Sequence, residues 1–227
     1  MAERGINVRY IVICLPLLLV GCDFGKDISV KGRTLYFYEE ITPQSVQFAQ
    51  TLIKQSKEQI STIMVDSKGG DHQAAMELGS WMHTSNVHLI INGDCQAECA
   101  NYVLPAASSV LITGAASVLW VDHLEYASFK LTNDREAIER WNRALQLLKN
   151  REKTFYSMIS VNPKISQFGY LNNQEKWQSQ GCNSDMKGWS YDIDSLKKLG
   201  IKDITYVNLK RAQSNDICIL NINESEL

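Results

Sequence analysis

Short apolar runs alternate along this chain with segments whose apolar residues recur every three or four positions. Residues 33–40, rich in Tyr, Phe and Leu, predict a strand. Thr42-Pro43 marks a helix start, because proline is favoured at the first helical position. Val46, Phe48, Ala49, Leu52 and Ile53 follow at mostly helical spacing. Thr62–Val65 predicts a short buried strand, and residues 66–71 (Asp-Ser-Lys-Gly-Gly-Asp) a sharp turn. A helix is expected over 72–83, with Ala75, Leu78, Gly79 and Met82 inward. Then come a strand at 87–91, a loop at 92–98, a helix at 99–106 and short strands at 110–113 and 118–121.

The second half has a different pattern. Ile138, Trp141, Leu145, Leu148, Phe155 and Ile159 recur at steps of three, four or seven. They predict one amphipathic helix of about 25 residues. Asn133 with Glu136 resembles a capping box at its start. Residues 191–200 predict a short helix closed by Gly200, and 204–207 a last strand. The tail from 211 to 227 holds one apolar run, Ile217–Leu220, that this pattern assigns to no element. Alternating short strands and helices predict an α/β fold with buried, mostly parallel strands. The long helix would be an arm on a single domain spanning 33–210.

The first residues carry a separate signal. Arg4 and Arg9 precede an almost wholly apolar run, Tyr10 to Val20. That run is shorter than the roughly 20 residues a bilayer span takes, and it suits a secretory leader. It ends in Leu19-Val20-Gly21-Cys22, which resembles the lipobox of bacterial lipoproteins. The resemblance implies cleavage before Cys22, lipidation (palmitate) of that cysteine, and a membrane anchor on the periplasmic side of the cell envelope. Asp23 beside it favours the inner membrane. Residues 22–32 then read as a tether. Removing 1–21 leaves 206 of 227 residues and moves the net charge from −2 to −3, since Glu3, Arg4 and Arg9 leave. No cluster of Lys and Arg marks a nucleic-acid partner.

Cys95, Cys99, Cys182 and Cys218 remain besides Cys14 and Cys22. In an oxidising compartment four thiols allow three pairings. Cys95–Cys99 is the local candidate, which would leave Cys182–Cys218. A zinc site is the rival, but the second ligand pair would span 36 residues. No metal and no cofactor is expected. His72, His83 and His88 read as surface or satisfied residues. Trp81, Trp141, Trp177 and Trp189 read as packing residues.

Two motifs carry candidate chemistry. Ser67-Lys68-Gly69-Gly70-Asp71 joins a predicted strand to a predicted helix, and paired glycines there can present backbone N–H groups to an oxyanion. It lacks the spacing of a phosphate-binding P-loop. The second motif is Cys95-Gln96-Ala97-Glu98-Cys99-Ala100-Asn101-Tyr102, followed by Pro105-Ala106. In this order, over about residues 33–207, the two resemble the ClpP/crotonase-like superfamily, and within it the periplasmic ClpP-like proteins. Those carry Cys-x-Ser-Ser-Cys-Ala-Asn-Tyr at the second motif. The resemblance implies a spiral of short strands and helices, an oxyanion hole from the N–H groups of Gly70 and Cys99, and self-association, with the long helix as handle.

This sequence departs from the pattern where the chemistry would sit. Ala97-Glu98 replaces Ser-Ser, so Glu98 stands where the nucleophile would be. Serine chemistry needs a hydroxyl beside a base. His123, 25 residues on, is the candidate base. The relatives carry Trp-His-Gly near this place, whereas Trp120 is followed by Val121-Asp122. Glu98 could serve as an acid or base of the crotonase kind, or cap a helix start. Ser67 is a hydroxyl on the wrong motif. The expectation is a membrane-anchored periplasmic ClpP-like protein without its serine nucleophile, acting in binding or assembly. The alternative is a divergent serine-type hydrolase of the envelope.

Feeding a palmitate analogue to cells that make the full chain is expected to label the wild type and not Cys22→Ala. Label retained by the variant removes the lipoprotein assignment.

Overall fold

A computed structural model describes residues 27–114, 116–121, 134–169, 178–182, 186–207 and 216–227. It is a mixed α/β structure with a mostly parallel sheet. The chain opens with a hairpin, β1 (Ile28–Lys31) and β2 (Thr34–Phe37), the one antiparallel pair of the main sheet among the described residues. So 28–31, expected as tether, is a strand. Gly32 at φ +57° makes the tight turn between charged Lys31 and Arg33, whose side chains hid the alternation. β2 is then followed by α1 (Pro43–Gln55), β3 (Thr62–Ser67), α2 (His72–Thr84) and β4 (His88–Gln96). The predicted start of α1 holds: Thr42 caps it, accepting from Ser45 N–H, with Pro43 at the first position.

β4 is longer than expected, running through the polar stretch 92–96 that reads as a loop. Its two halves serve different neighbours. Leu89–Ile91 pair with β5 (Val110–Ile112), while Asp94–Gln96 pair with β6 (Ser117–Leu119). Each half thus finds ladder partners for its backbone groups, which polar side chains at a sheet rim do not prevent. β3 keeps pace with β4 along the whole length, with an irregularity between Val65 and Ser67.

After β4 comes a wide turn, Cys99–Val103, in which Leu104 N–H donates to the carbonyl of Cys99, five residues back. One short turn of helix, α3 (Leu104–Ala106), completes the segment. The arm is α4 (Arg135–Ile159), 25 residues long. Its cap is Asp134, not Asn133: the Asp134 carboxylate accepts from Glu136 N–H and Ala137 N–H. Only Phe155, Tyr156 and Ile159 of α4 are buried, so its last turns dock and the rest lies further out.

Residues 188–190, assigned no element by the sequence pattern, and Tyr191, expected to open the short helix, form β7 (Gly188–Tyr191). After α5 (Ile193–Lys198) and β8 (Ile204–Tyr206), the tail run becomes β9 (Ile217–Leu220), parallel to β7 in a second, two-stranded sheet. The Cys182–Cys218 disulfide ties β9 in place, so this part of the tail belongs to the fold. The local pair Cys95–Cys99 is also bonded, which rules out those sulfurs as zinc ligands. Among the described residues no helix is long and apolar enough to cross a membrane.

Gly79 shows how closely α2 meets the turn after β4. A Cβ there would lie 2.5 Å from the Tyr102 carbonyl oxygen and 3.1 Å from the Phe155 ring. A backbone oxygen cannot swing aside. Gly79→Ala gains up to about 1 kcal/mol of helix propensity, but overpacking costs about 1–3 kcal/mol. Net destabilisation is expected, read as a lower urea midpoint; an unchanged midpoint contradicts this packing.

Candidate functional site

β3 and β4 are neighbouring parallel strands, so the loops leaving their C-terminal ends lie side by side. In open α/β sheets this is where ligands bind. The first loop is the Gly69-Gly70 turn into α2; the second is Ala97-Glu98. The two sequence motifs, 28 residues apart, therefore meet.

The glycine turn is stapled to the segment ahead of α1. Ile41 N–H donates to Gly69 O at 2.8 Å, and Asp71 N–H donates to Ile41 O at 2.7 Å. Both glycines adopt positive φ, +99° and +147°. A Cβ on Gly70 would meet the Ile41 oxygen at 2.3 Å, and one on Gly69 would meet a Glu98 carboxylate oxygen at 2.6 Å. Both positions therefore require glycine. Ser67 is buried and its hydroxyl accepts from Gly69 N–H at 3.3 Å, a turn-forming role.

The second loop is an elbow. Ala97 sits at φ +48°, an uncommon conformation for a residue with a Cβ. It is held there from both sides: its N–H donates to Leu119 O at 2.9 Å and its carbonyl accepts from Asn101 N–H at 2.8 Å. The Cys95–Cys99 disulfide closes the same five residues, with both cysteines buried. The elbow turns Glu98 back over the glycine turn.

There the Glu98 carboxylate accepts from Gly70 N–H at 2.8 Å through Oε2. Its other oxygen, Oε1, lies 2.8 Å from His72 Nδ1. The Glu98 and His72 side chains are 13% and 11% exposed. Burial pushes the Glu98 carboxyl up. The contact with His72, the Gly70 amide, the His72 charge and Glu98's own amide outweigh it, so the carboxyl lies below the ordinary glutamate range. The first turn of α2 also favours the negative charge.

Behind the pair the site continues into the core. Both His72 ring nitrogens are buried, and the ring faces Tyr102 with centroids 6.1 Å apart. Tyr102 is fully buried and its hydroxyl donates to Glu152 on α4. Burial raises its pKa far above the ordinary tyrosine value, with the Glu152 charge adding to it. One residue earlier, the Asn101 carbonyl accepts from the Tyr156 hydroxyl at 2.9 Å. Pro105, four residues on, has no N–H to offer that carbonyl in a helical bond.

Of the residues singled out from sequence, Gly70 and Glu98 are brought into contact. Cys99 follows Glu98 directly at the start of the wide turn, its sulfur bonded to Cys95. The described partners of the Glu98 carboxylate are Gly70 N–H, His72 Nδ1 and Glu98's own amide. His123 and Cys22 lie outside the described residues, as does Trp177. His83 is exposed; His88 is also exposed and lies 2.7 Å from the Ser109 hydroxyl through Nδ1. His72, which the sequence reads as a surface or satisfied residue, is a further member of this candidate site. Its signal was its place in the first helical turn after Gly-Gly-Asp, where a side chain can face the next loop. No protein-family model and no curated protein matches the sequence.

The sign of the pH dependence follows from the depressed carboxyl. Such a group stabilises the fold above the ordinary glutamate range, and that contribution is lost as pH falls through the folded-state value. Glu98→Gln is expected to be less stable than wild type at neutral pH by roughly 1.5–3 kcal/mol, the worth of charge-assisted hydrogen bonds. The gap should hold at neutral pH and narrow as pH falls through and below the ordinary glutamate range. Urea unfolding at neutral and at acid pH reads it, and a gap that does not narrow in acid refutes the assignment.

Proposed function

We propose that this chain is a membrane-anchored, periplasmic ClpP-like protein that has lost the serine nucleophile and acts by binding or assembly rather than by turnover. The observation that carries the reading is the seating of Glu98. Its elbow, after a strand and ahead of a helical turn, is where a nucleophile would be presented to an oxyanion donor on the neighbouring loop. What stands there is a carboxylate already hydrogen-bonded to that donor. A serine enzyme needs the donor free for the developing oxyanion. Here it is consumed in the ground state by a group of the same charge.

The enzyme alternative, a divergent envelope hydrolase, has less support. A carboxylate on Nδ1 is the arrangement that orients a catalytic imidazole, and Glu98 and His72 have it. But His72 Nε2 is buried against the protein and presents nothing to an external substrate. Glu98 itself, with its pKa lowered, is a weak base. The lipid anchor on Cys22 and the inner-membrane preference from Asp23 rest on the leader sequence and complete the proposal.

The test is hydrolysis of peptide and ester substrates by the detergent-solubilised full chain, with Glu98→Ser and His123→Ala beside the wild type. Wild type is expected to be inert, with activity gained in Glu98→Ser as the hydroxyl returns and the donor is freed. Wild-type hydrolysis that falls on His123→Ala overturns the binding reading and shows a surviving base.

A further inference from the structure

The turn at Gly69-Gly70 holds an anion, and that anion is the protein's own side chain. We propose that the turn is a carboxylate-binding seat kept shut in cis by Glu98, and that it takes a carboxylate in trans when Glu98 is removed or swung out. The inference rests on the binding reading above, but its test does not use hydrolysis.

Three observations carry it. The seat recognises both oxygens of a carboxylate, Gly70 N–H on one and His72 Nδ1 on the other, each at 2.8 Å. Its shape is reserved: a Cβ on Gly69 would lie 2.6 Å from the bound oxygen, so a side chain at that position would fill the seat. And it lies at the surface, with Gly70 exposed, so a group other than Glu98 can reach the same N–H. A cavity of about 390 Å³ opens beside it, lined by Tyr38, Ser67, Lys68 and the carboxylate-bearing Glu39, Glu40 and Asp66 as well as the two glycines.

Closure follows from concentration and charge. A ligand on a short tether competes at an effective concentration in the millimolar range or above. Glu98 sits on an elbow fixed by a disulfide and two backbone hydrogen bonds, which holds it near the seat. A second carboxylate arriving while Glu98 is bound meets like charge within a few ångströms, which disfavours it further. Free carboxylates are therefore excluded from the wild type and admitted once the cis ligand is shortened.

The experiment is thermal unfolding of the full chain in detergent, with sodium acetate or sodium chloride at equal ionic strength. Acetate is expected to raise the Tm of Glu98→Ala saturably, with a midpoint in the millimolar range, and chloride is not. Wild type should not respond to either. Calorimetry with an N-acetylated dipeptide as free acid and as amide separates the sources. Tenfold tighter binding of the acid than of acetate assigns the seat to peptide C-termini; equal binding assigns it to small carboxylic acids. A folded Glu98→Ala that ignores both carboxylates overturns the proposal, as does a wild type that responds as strongly as the variant. Should Glu98→Ala not fold, the wild type supplies the readout. Its Gly70 amide resonance is expected to shift as Glu98 titrates, and an amide indifferent to that titration sinks the seat.

Discussion

Placing the Glu98 carboxylate against the Gly70 amide fixes the relation between two loops that the chain itself leaves 28 residues apart. A carboxylate taken largely out of water costs several kcal/mol unless hydrogen bonds and charge replace its hydration. The loops supply that replacement. Gly70 gives an N–H that no side chain shields, His72 gives a second partner, and the start of α2 gives a favourable field. Each of these depends on the parallel pairing of β3 with β4, which sets the two loops side by side. Shifting that pairing by one residue would turn Glu98's elbow to the other face of the sheet.

The support extends from the loops to the arm. Tyr102 and Asn101 lie in the wide turn that begins at Cys99, and α4 reaches both, through Glu152 and Tyr156. Phe155 packs edge-on against Tyr102 at 5.7 Å. The docked end of α4 is thus a wall behind His72, and Gly79 lets α2 close on the same turn. Here the sequence of contacts from Gly70 through Glu98, His72 and Tyr102 to Glu152 runs from the surface to the helix arm.

How much of this was legible in the sequence varies by element, for physical reasons. α1 carries helical periodicity and an explicit start signal, Thr42-Pro43, that holds; α2 carries periodicity, and its expected bounds hold closely. The glycine turn is legible because two adjacent glycines between a buried strand and a helix have few other uses. The second half of β4 is not, because Asn92-Gly93-Asp94 reads as a turn. In the fold, Asp94 N–H instead bonds the Asp66 carboxylate at 2.8 Å, and a Cβ on Gly93 would strike that same carboxylate. β7 and β9 were missed because each is short and its pairing is with a run 29 residues away, held by a disulfide between cysteines 36 apart. Local pattern cannot reveal such a contact. Glu98 itself could be placed from the motif, while its partner His72 could not, since only the loop geometry aims one at the other.

On the proposed reading, glutamate in place of serine at such an elbow would change more than one atom's chemistry. A hydroxyl leaves the donor on the neighbouring loop empty until charge develops on a substrate, so its full worth appears in the transition state. A carboxylate reaches one bond further and carries its charge permanently, so the same donor is saturated before anything binds. The stabilisation that a hydrolase keeps for its transition state is then released on folding. On that reading Glu98 would turn a feature suited to catalysis into one that holds two loops together, and the holding is what its bond to Gly70 N–H does. That is why the same residues can read as a disarmed active site and as a structural clasp: the hydrogen bond is one and the same.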